Sequence, residues 1–424
     1  MTPDDRSFLI SLFNAAVAAA DPKKALCTNL PARPKGRTIV IGAGKGAAQL
    51  AAAFEELWGE PVEGVVVTRY GYAVPCKRIR VLEAAHPVPD SAGLAASAAL
   101  INAVSNLTED DLVVALMCGG GSSLLPAPPD GLTLEDEQAL NASLLRSGAP
   151  IGVMNAIRKH VSRIKGGRLA AAAFPARVVS LVVSDVPGDD PAEVASGPTV
   201  PSGTGLEEAR HLIETYRIAL PDKIRAHLES ESARAPHPDD AVFARVETKV
   251  IASACLSLEA AQREAERQGV PCVILSDAIE GEARDVGKVH AAMARETATR
   301  GRPFAAPVVL LSGGETTVTI RDEGGRGGRN TEFLLAFASA IEGATGVAAL
   351  AADTDGIDGS EDNAGAFADG QSAERMRAAG IDPVAALSRH DAWGAFDAVG
   401  DLFVPGPTGT NVNDFRAILI RSQT

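Results

Sequence analysis

The chain has 424 residues, 46% of them hydrophobic and 22% charged, and its 40 Lys and Arg against 54 Asp and Glu give a net charge of −14. That composition excludes a disordered chain, and its length predicts two domains or three. An acidic chain without a basic–aromatic stripe argues against nucleic acid as partner; no apolar run is long enough for a membrane span, and five scattered cysteines without C-x-x-C argue against a disulfide framework or zinc site.

The expected class is therefore a cytoplasmic, soluble α/β protein. The first stretch, MTPDDRSFLISLFNAAVAAADP, reads as an amphipathic helix ended near Asp21-Pro22. Short β-branched runs then alternate with alanine-rich helical stretches: RTIVIGAGKG, EGVVVTRYG, LVVALMCGGGSS, RVVSLVVSDVPGD, KVIASAC, CVILSDA, PVVLLSGGE and GVAALAADTDG. Such alternation predicts largely parallel sheets, with ligands at the carboxyl ends of the strands. The Ala-, Pro- and acid-rich stretch between Glu229 and Glu247 is the expected linker, dividing the chain into 1–238 and 239–424. The first four runs fall in the first half.

Most unusual residues lie at the strand ends. Gly42, Gly44 and Gly46 lead from a strand into a helix, a place where backbone amides meet anions, and Lys45 adds a cation there. A tight turn with a solvated lysine is the plainer alternative. G-x-G-x-x-A from Gly42 to Ala47 touches the dinucleotide fingerprint, but Thr68-Arg69 stands where its ribose-binding acid belongs, which weakens a redox reading. Gly119, Gly120 and Gly121 before Ser122 and Ser123 form an oxyanion cradle or a structural turn; a serine nucleophile would need G-x-S-x-G.

No acid occurs between Glu137 and Asp185, whereas Arg158, Lys159, Arg163, Lys165 and Arg168 crowd together. Met154, Ile157, Val161 and Ile164 suggest one helix, with Arg158 and Lys165 beside its apolar stripe and Lys159 and Arg163 pointing away. Two acidic loops follow strands: Asp185, Asp189 and Asp190, then Asp353, Asp355 and Asp358. Their carboxylates suit Mg²⁺ beside a phosphate, with Asp189 the leading ligand, or they simply make turns. Gly313-Gly314-Glu315 closes a strand, Gly324-Gly325-Arg326-Gly327-Gly328-Arg329-Asn330 enters a helix, and Thr408, Thr410, Asn411 and Asn413 offer neutral hydrogen-bonding groups.

Together these motifs, with HPVPD and NAIRKHVSRIKGGRLA between them, resemble the class II glycerate kinases, the glycerate 2-kinase or MOFRL family, from about residue 38 to 415. The resemblance implies a Rossmann-like N-terminal domain and a smaller α/β MOFRL domain enclosing an active-site cleft. It implies transfer of the γ-phosphoryl of ATP, with Mg²⁺, to the 2-hydroxyl of D-glycerate, with Lys45 and Arg329 as the catalytic cations. Some members carry the label hydroxypyruvate reductase, so an NAD(P)H-dependent reductase is the alternative. His86 and His160 are available as bases, although an isolated histidine is more often structural.

Overall fold

The computed structural model describes residues 1–320 and 324–422. The chain divides into two compact units, one of Pro22–Ile251 and one that joins Met1–Asp21 to Ala252–Thr424.

The Pro22–Ile251 unit is built on strands β1 (Thr38–Ala43), β2 (Glu63–Arg69), β3 (Arg80–Ala84), β4 (Leu112–Cys118), β5 (Arg177–Val183) and β6 (Val246–Ala252). They are ordered β3-β2-β1-β4-β5-β6, and the pairings from β3 through β5 are parallel. Every residue of β1 and β4 is buried, which explains why TIVIGA and LVVALMC are apolar throughout instead of alternating. Helix Ser91–Ala103 is started by the Asp90 carboxylate, which accepts the amide of Gly93, and it packs Ala96 and Leu100 on this sheet. A satellite core joins helices Leu134–Ser147, Ile151–His160, Leu206–Thr215 and Asp222–Glu229 around Leu140, Leu144, Ile157, Ile213 and Ile224.

The second unit carries β7 (Cys272–Ser276), β8 (Gly281–Glu282), β9 (Val308–Gly314), β10 (Thr316–Thr317), β11 (Val347–Asp353), β12 (Gly365–Asp369), β13 (Leu402–Phe403) and β14 (Asp414–Ile420). Its main sheet has the order β13-β12-β11-β14-β9-β7, and β8 and β10 form a separate ribbon. Alternate residues serve two cores. Val308 and Leu310 face helices Ala283–Arg300 and Arg329–Ala340, whereas Val309 and Leu311 belong with the N-terminal helix Pro3–Ala19 and helix Ala254–Arg267.

Three expectations need correction. The second sheet is mixed: only β7 and β9 pair in parallel, and β9, β14, β11, β12 and β13 run antiparallel to one another. The link from β11 to β12 contains no helix, and a parallel return would require a longer crossover. The units also differ from 1–238 and 239–424. KVIASAC supplies β6 at the edge of the first sheet, and Phe8, Leu9, Leu12 and Phe13 bury the first helix in the other unit. Finally, the basic helix ends at His160, with Val161 as its cap, so Ile164 and Lys165 lie beyond it.

Candidate active site

In the Pro22–Ile251 unit the chain builds outward in opposite directions from β1 and β4, so the loops leaving their carboxyl ends flank an opening. The amide of Gly44 donates to Val67 (3.1 Å) and that of Lys45 to Gly119 (2.9 Å), tying the two glycine loops together. Gly44 has φ +133°, and a Cβ there would lie 2.3 Å from the Cys118 carbonyl, so only glycine lets the loops approach. At Gly119 a Cβ would lie 1.8 Å from Asp185 Oδ2; the carboxylate rests against bare backbone. Both the Lys45 Cγ and His86 Nε2 lie 3.1 Å from where a Gly120 Cβ would stand.

Lys45, His86, Gly120 and Asp185 thus converge at the carboxyl edge of the sheet. Lys45 is half-buried and, among the described residues, has no ion-pair partner. Burial first, and then Lys45 and Arg69, hold the His86 imidazole below its ordinary pKa, so it is neutral near pH 7. A cavity of about 350 Å³ opens here, with His86, Gly120, Ser122, Ser123, Arg158 and Lys165 in its wall. The Ser122 and Ser196 hydroxyls are 2.7 Å apart, and Ser123 donates to the Gly120 carbonyl.

The basic run is less cationic than its sequence implies. Lys165 Nζ donates to Glu137 (2.8 Å), with both side chains almost wholly buried, and Lys159 Nζ donates to Glu193 (2.6 Å). The expectation that Lys159 points away is therefore wrong. Its partner lies outside the acid-free stretch, and the ion pair allows its burial. Arg163 is exposed as expected and meets Asp130. Arg158 donates to Asn141 and Asn155, and burial lowers its pKa. His160 is structural: Nδ1 lies against Ala233 O and the amide of Ala235, and Nε2 against Thr204 O. Asp189 sits at φ 55° in the turn Pro187–Asp189, and Asp190 accepts the amide of Ala192.

In the second unit Arg329 opens helix Arg329–Ala340, and three of its guanidinium nitrogens each meet a carboxylate at 2.7 Å. Nε donates to Asp414, Nη1 to Glu315 and Nη2 to Asp353. Burial pulls its pKa down, but the three carboxylates outweigh that and raise it. Burial, with Asp355 and Asp414 nearby, pushes Asp353 well above the usual carboxylate range. Asp358 caps the helix, accepting the amides of Asn330 (2.9 Å) and Thr331 (2.8 Å), and burial raises its pKa to about 6. A cavity of about 230 Å³ includes Arg329, Asp353, Gly328, Glu332 and His390 in its wall.

The other predicted groups of this unit divide. Asn330 donates Nδ2 to Asp414, so it joins Arg329 and Asp353. Gly313 and Gly314 close β9 as expected, paired there with Phe415 and Asp414. Asp355 accepts the amide of Ile357 in a local turn. Thr408 and Thr410 spend their hydroxyls on the carbonyls of Thr354 and Ala20, and the Asn411 side chain accepts the amide of Asn413. Two residues of the cluster were missed, Asp414 and Arg416, both fully buried and ion-paired. The signal was present in NDFRAILI: charges at alternate positions of an apolar strand share one face and must find partners there.

Residues 8–229 match the model of a family described as a domain of unknown function, DUF4147, and residues 308–414 match the MOFRL family. A glycerate 2-kinase of Pyrococcus horikoshii is 38% identical, covering 99% of this chain and 98% of that protein. The crystal structure of a glycerate kinase from Thermotoga maritima superposes with a TM-score of 0.90 at 36% identity, covering 99% of this chain and all of that one. The chain belongs to the DUF4147–MOFRL glycerate kinase family. A relative in Agrobacterium vitis, 53% identical over 98% of this chain and 94% of its own length, carries a provisional hydroxypyruvate reductase name. In this glycerate kinase family member the DUF4147 match contains Lys45, His86 and Gly119–Gly121, and the MOFRL match runs from the start of β9 to Asp414. Among its described residues, no helix is long and apolar enough to cross a membrane.

Proposed function

We propose that this protein transfers the γ-phosphoryl of ATP to the 2-hydroxyl of D-glycerate, giving 2-phospho-D-glycerate and ADP. The observation that carries this reading is Lys45: a half-buried cation without an ion pair among the described residues, set between glycine loops at the opening beside β1 and β4. Relatives named glycerate 2-kinase at 37–38% identity support it. Phosphoryl transfer needs positioned cations against developing charge more than covalent chemistry. Lys45 and Arg329 are the proposed catalytic cations, as the family resemblance implies. His86, neutral near pH 7, is the proposed acceptor of the glycerate hydroxyl proton.

The residues around Arg329 fit Mg²⁺. Glu315, Asp353 and Asp355 offer only oxygen, and the crowding of Asp353 by Asp355 and Asp414 is a charge excess that a cation would relieve. Asp189 is the proposed carboxylate of the other unit for metal or substrate. When bound, Mg²⁺ would neutralise charge on the nucleotide's phosphates.

The reductase reading rests on the Agrobacterium vitis relative and on the glycine spacing before helix Ala47–Trp58. Against it, β2 ends without an acid: Thr68 donates to the Lys45 carbonyl and Arg69 stacks 3.6 Å over Tyr72. One pair of assays separates the two. With D-glycerate, ATP and Mg²⁺, the product identified by phosphorus NMR should be 2-phosphoglycerate. Oxidation of NADPH by hydroxypyruvate without ATP, and no phosphoglycerate, would overturn the proposal.

A further inference from the structure

The three carboxylates around Arg329 differ in how firmly each is held. Asp414 has no exposed side-chain surface; its Oδ1 also receives Asn330, and its Oδ2 is gripped by Arg416 and approached by the amide of Thr316. The Asp353 side chain is 8% exposed, and its other oxygen accepts the amide of Asp355. Glu315 is 52% exposed, follows the end of β9, and has Arg329 as its one ion-pair or hydrogen-bond partner among the described residues. These bonds use three of the five N–H donors, one on each nitrogen, so a phosphoryl oxygen approaching any edge of the guanidinium meets a carboxylate already there and is repelled unless one of them leaves. Removing Asp414 or Asp353 would strand buried charge, whereas releasing Glu315 returns a carboxylate to water at little cost.

We infer that Glu315 is an exchangeable stand-in anion: it occupies the Nη1 side of Arg329 until a phosphoryl oxygen replaces it, while Asp414 and Asp353 keep the guanidinium aimed. This rests on the kinase reading proposed above and assigns to the same site the donor that the ligand takes. Glu315 then competes with the ligand, and Asp414 acts as a positioning residue.

The test uses inorganic pyrophosphate as probe, in excess EDTA so that no metal contributes, with the full chain and calorimetric titration. Glu315→Gln keeps the size and removes the charge, and pyrophosphate binding should tighten by about two- to five-fold, the range of a partly exposed ion pair. Unchanged or weaker binding in Glu315→Gln would overturn the exchange. Arg329→Ala is the separate control. If it leaves pyrophosphate binding intact, Arg329 is not at the phosphate site, and the kinase reading loses its second cation. Melting temperatures of both variants are recorded. Should Arg329→Ala unfold, Arg329→Lys supplies the comparison: a point charge should not reproduce the fork's affinity, and wild-type affinity in it counts against the assignment.

Discussion

Lys45 and Arg329 are opposite solutions to holding a cation ready for an anion. Lys45 stands on glycine backbone, half-buried and without an ion-paired carboxylate among the described residues. Arg329 is held by three carboxylates, two of them nearly inaccessible to water. In the first region the cation stands on bare glycine backbone beside a neutral histidine, with no ion pair to hold it. In the second, aim is obtained through a network whose members also hold each other in place. Substitution should therefore separate activity from stability around Lys45 and couple them around Arg329.

The largest expected effect is on stability. Asp414→Ala leaves Arg416 buried without its partner and should cost about 3–5 kcal/mol in chemical denaturation; a loss below about 1 kcal/mol would dissolve the contrast. Next is Lys45→Ala, expected to lower kcat by about 10²–10³ while stability moves by about 0.5 kcal/mol or less. Turnover near wild type would remove Lys45 from the chemistry. The smallest effect sharpens the comparison through pH. Asp358 has a folded pKa of about 6 against 3.8, so the native state binds its proton more tightly than the unfolded chain. Its contribution to stability is complete below about pH 4 and is lost as pH rises through about 6. Asp358→Asn removes that titration while keeping an acceptor for the helix amides. The stability of wild type relative to the variant should thus decline over this window; a flat difference would show that Asp358 titrates normally.

β1 and β4 were legible because, buried along their whole length, they are written as unbroken apolar runs that lead into glycines; β3, RVLEA, is mostly half-exposed and was not picked out. β14 was not: it follows a Thr- and Asn-rich loop and carries Asp414 and Arg416, so it does not look like a central strand until their pairing is known. The basic segment misled for a related reason. Charge counted along the chain sees only near neighbours, and Lys165 and Lys159 find Glu137 and Glu193 across the fold. Lys45 could be singled out because it stands between glycines, whereas Arg329 was preferred to Arg326 only on the family resemblance. Which partners hold Arg329 is a property of three separate strands and loops, and no local pattern contains it.

The N-terminal helix has a consequence for synthesis. Phe13 lies edge-on against Phe403 and Phe415, so these ring contacts form only about 390 residues after Phe13 is made. At about 5–20 residues per second, that wait on the ribosome is roughly tens of seconds. The Pro22–Ile251 unit meanwhile emerges whole and is free to fold. Pro3–Ala19 is thus made before the Pro22–Ile251 unit but sheltered after it, which gives chaperones that recognise nascent apolar helices a target.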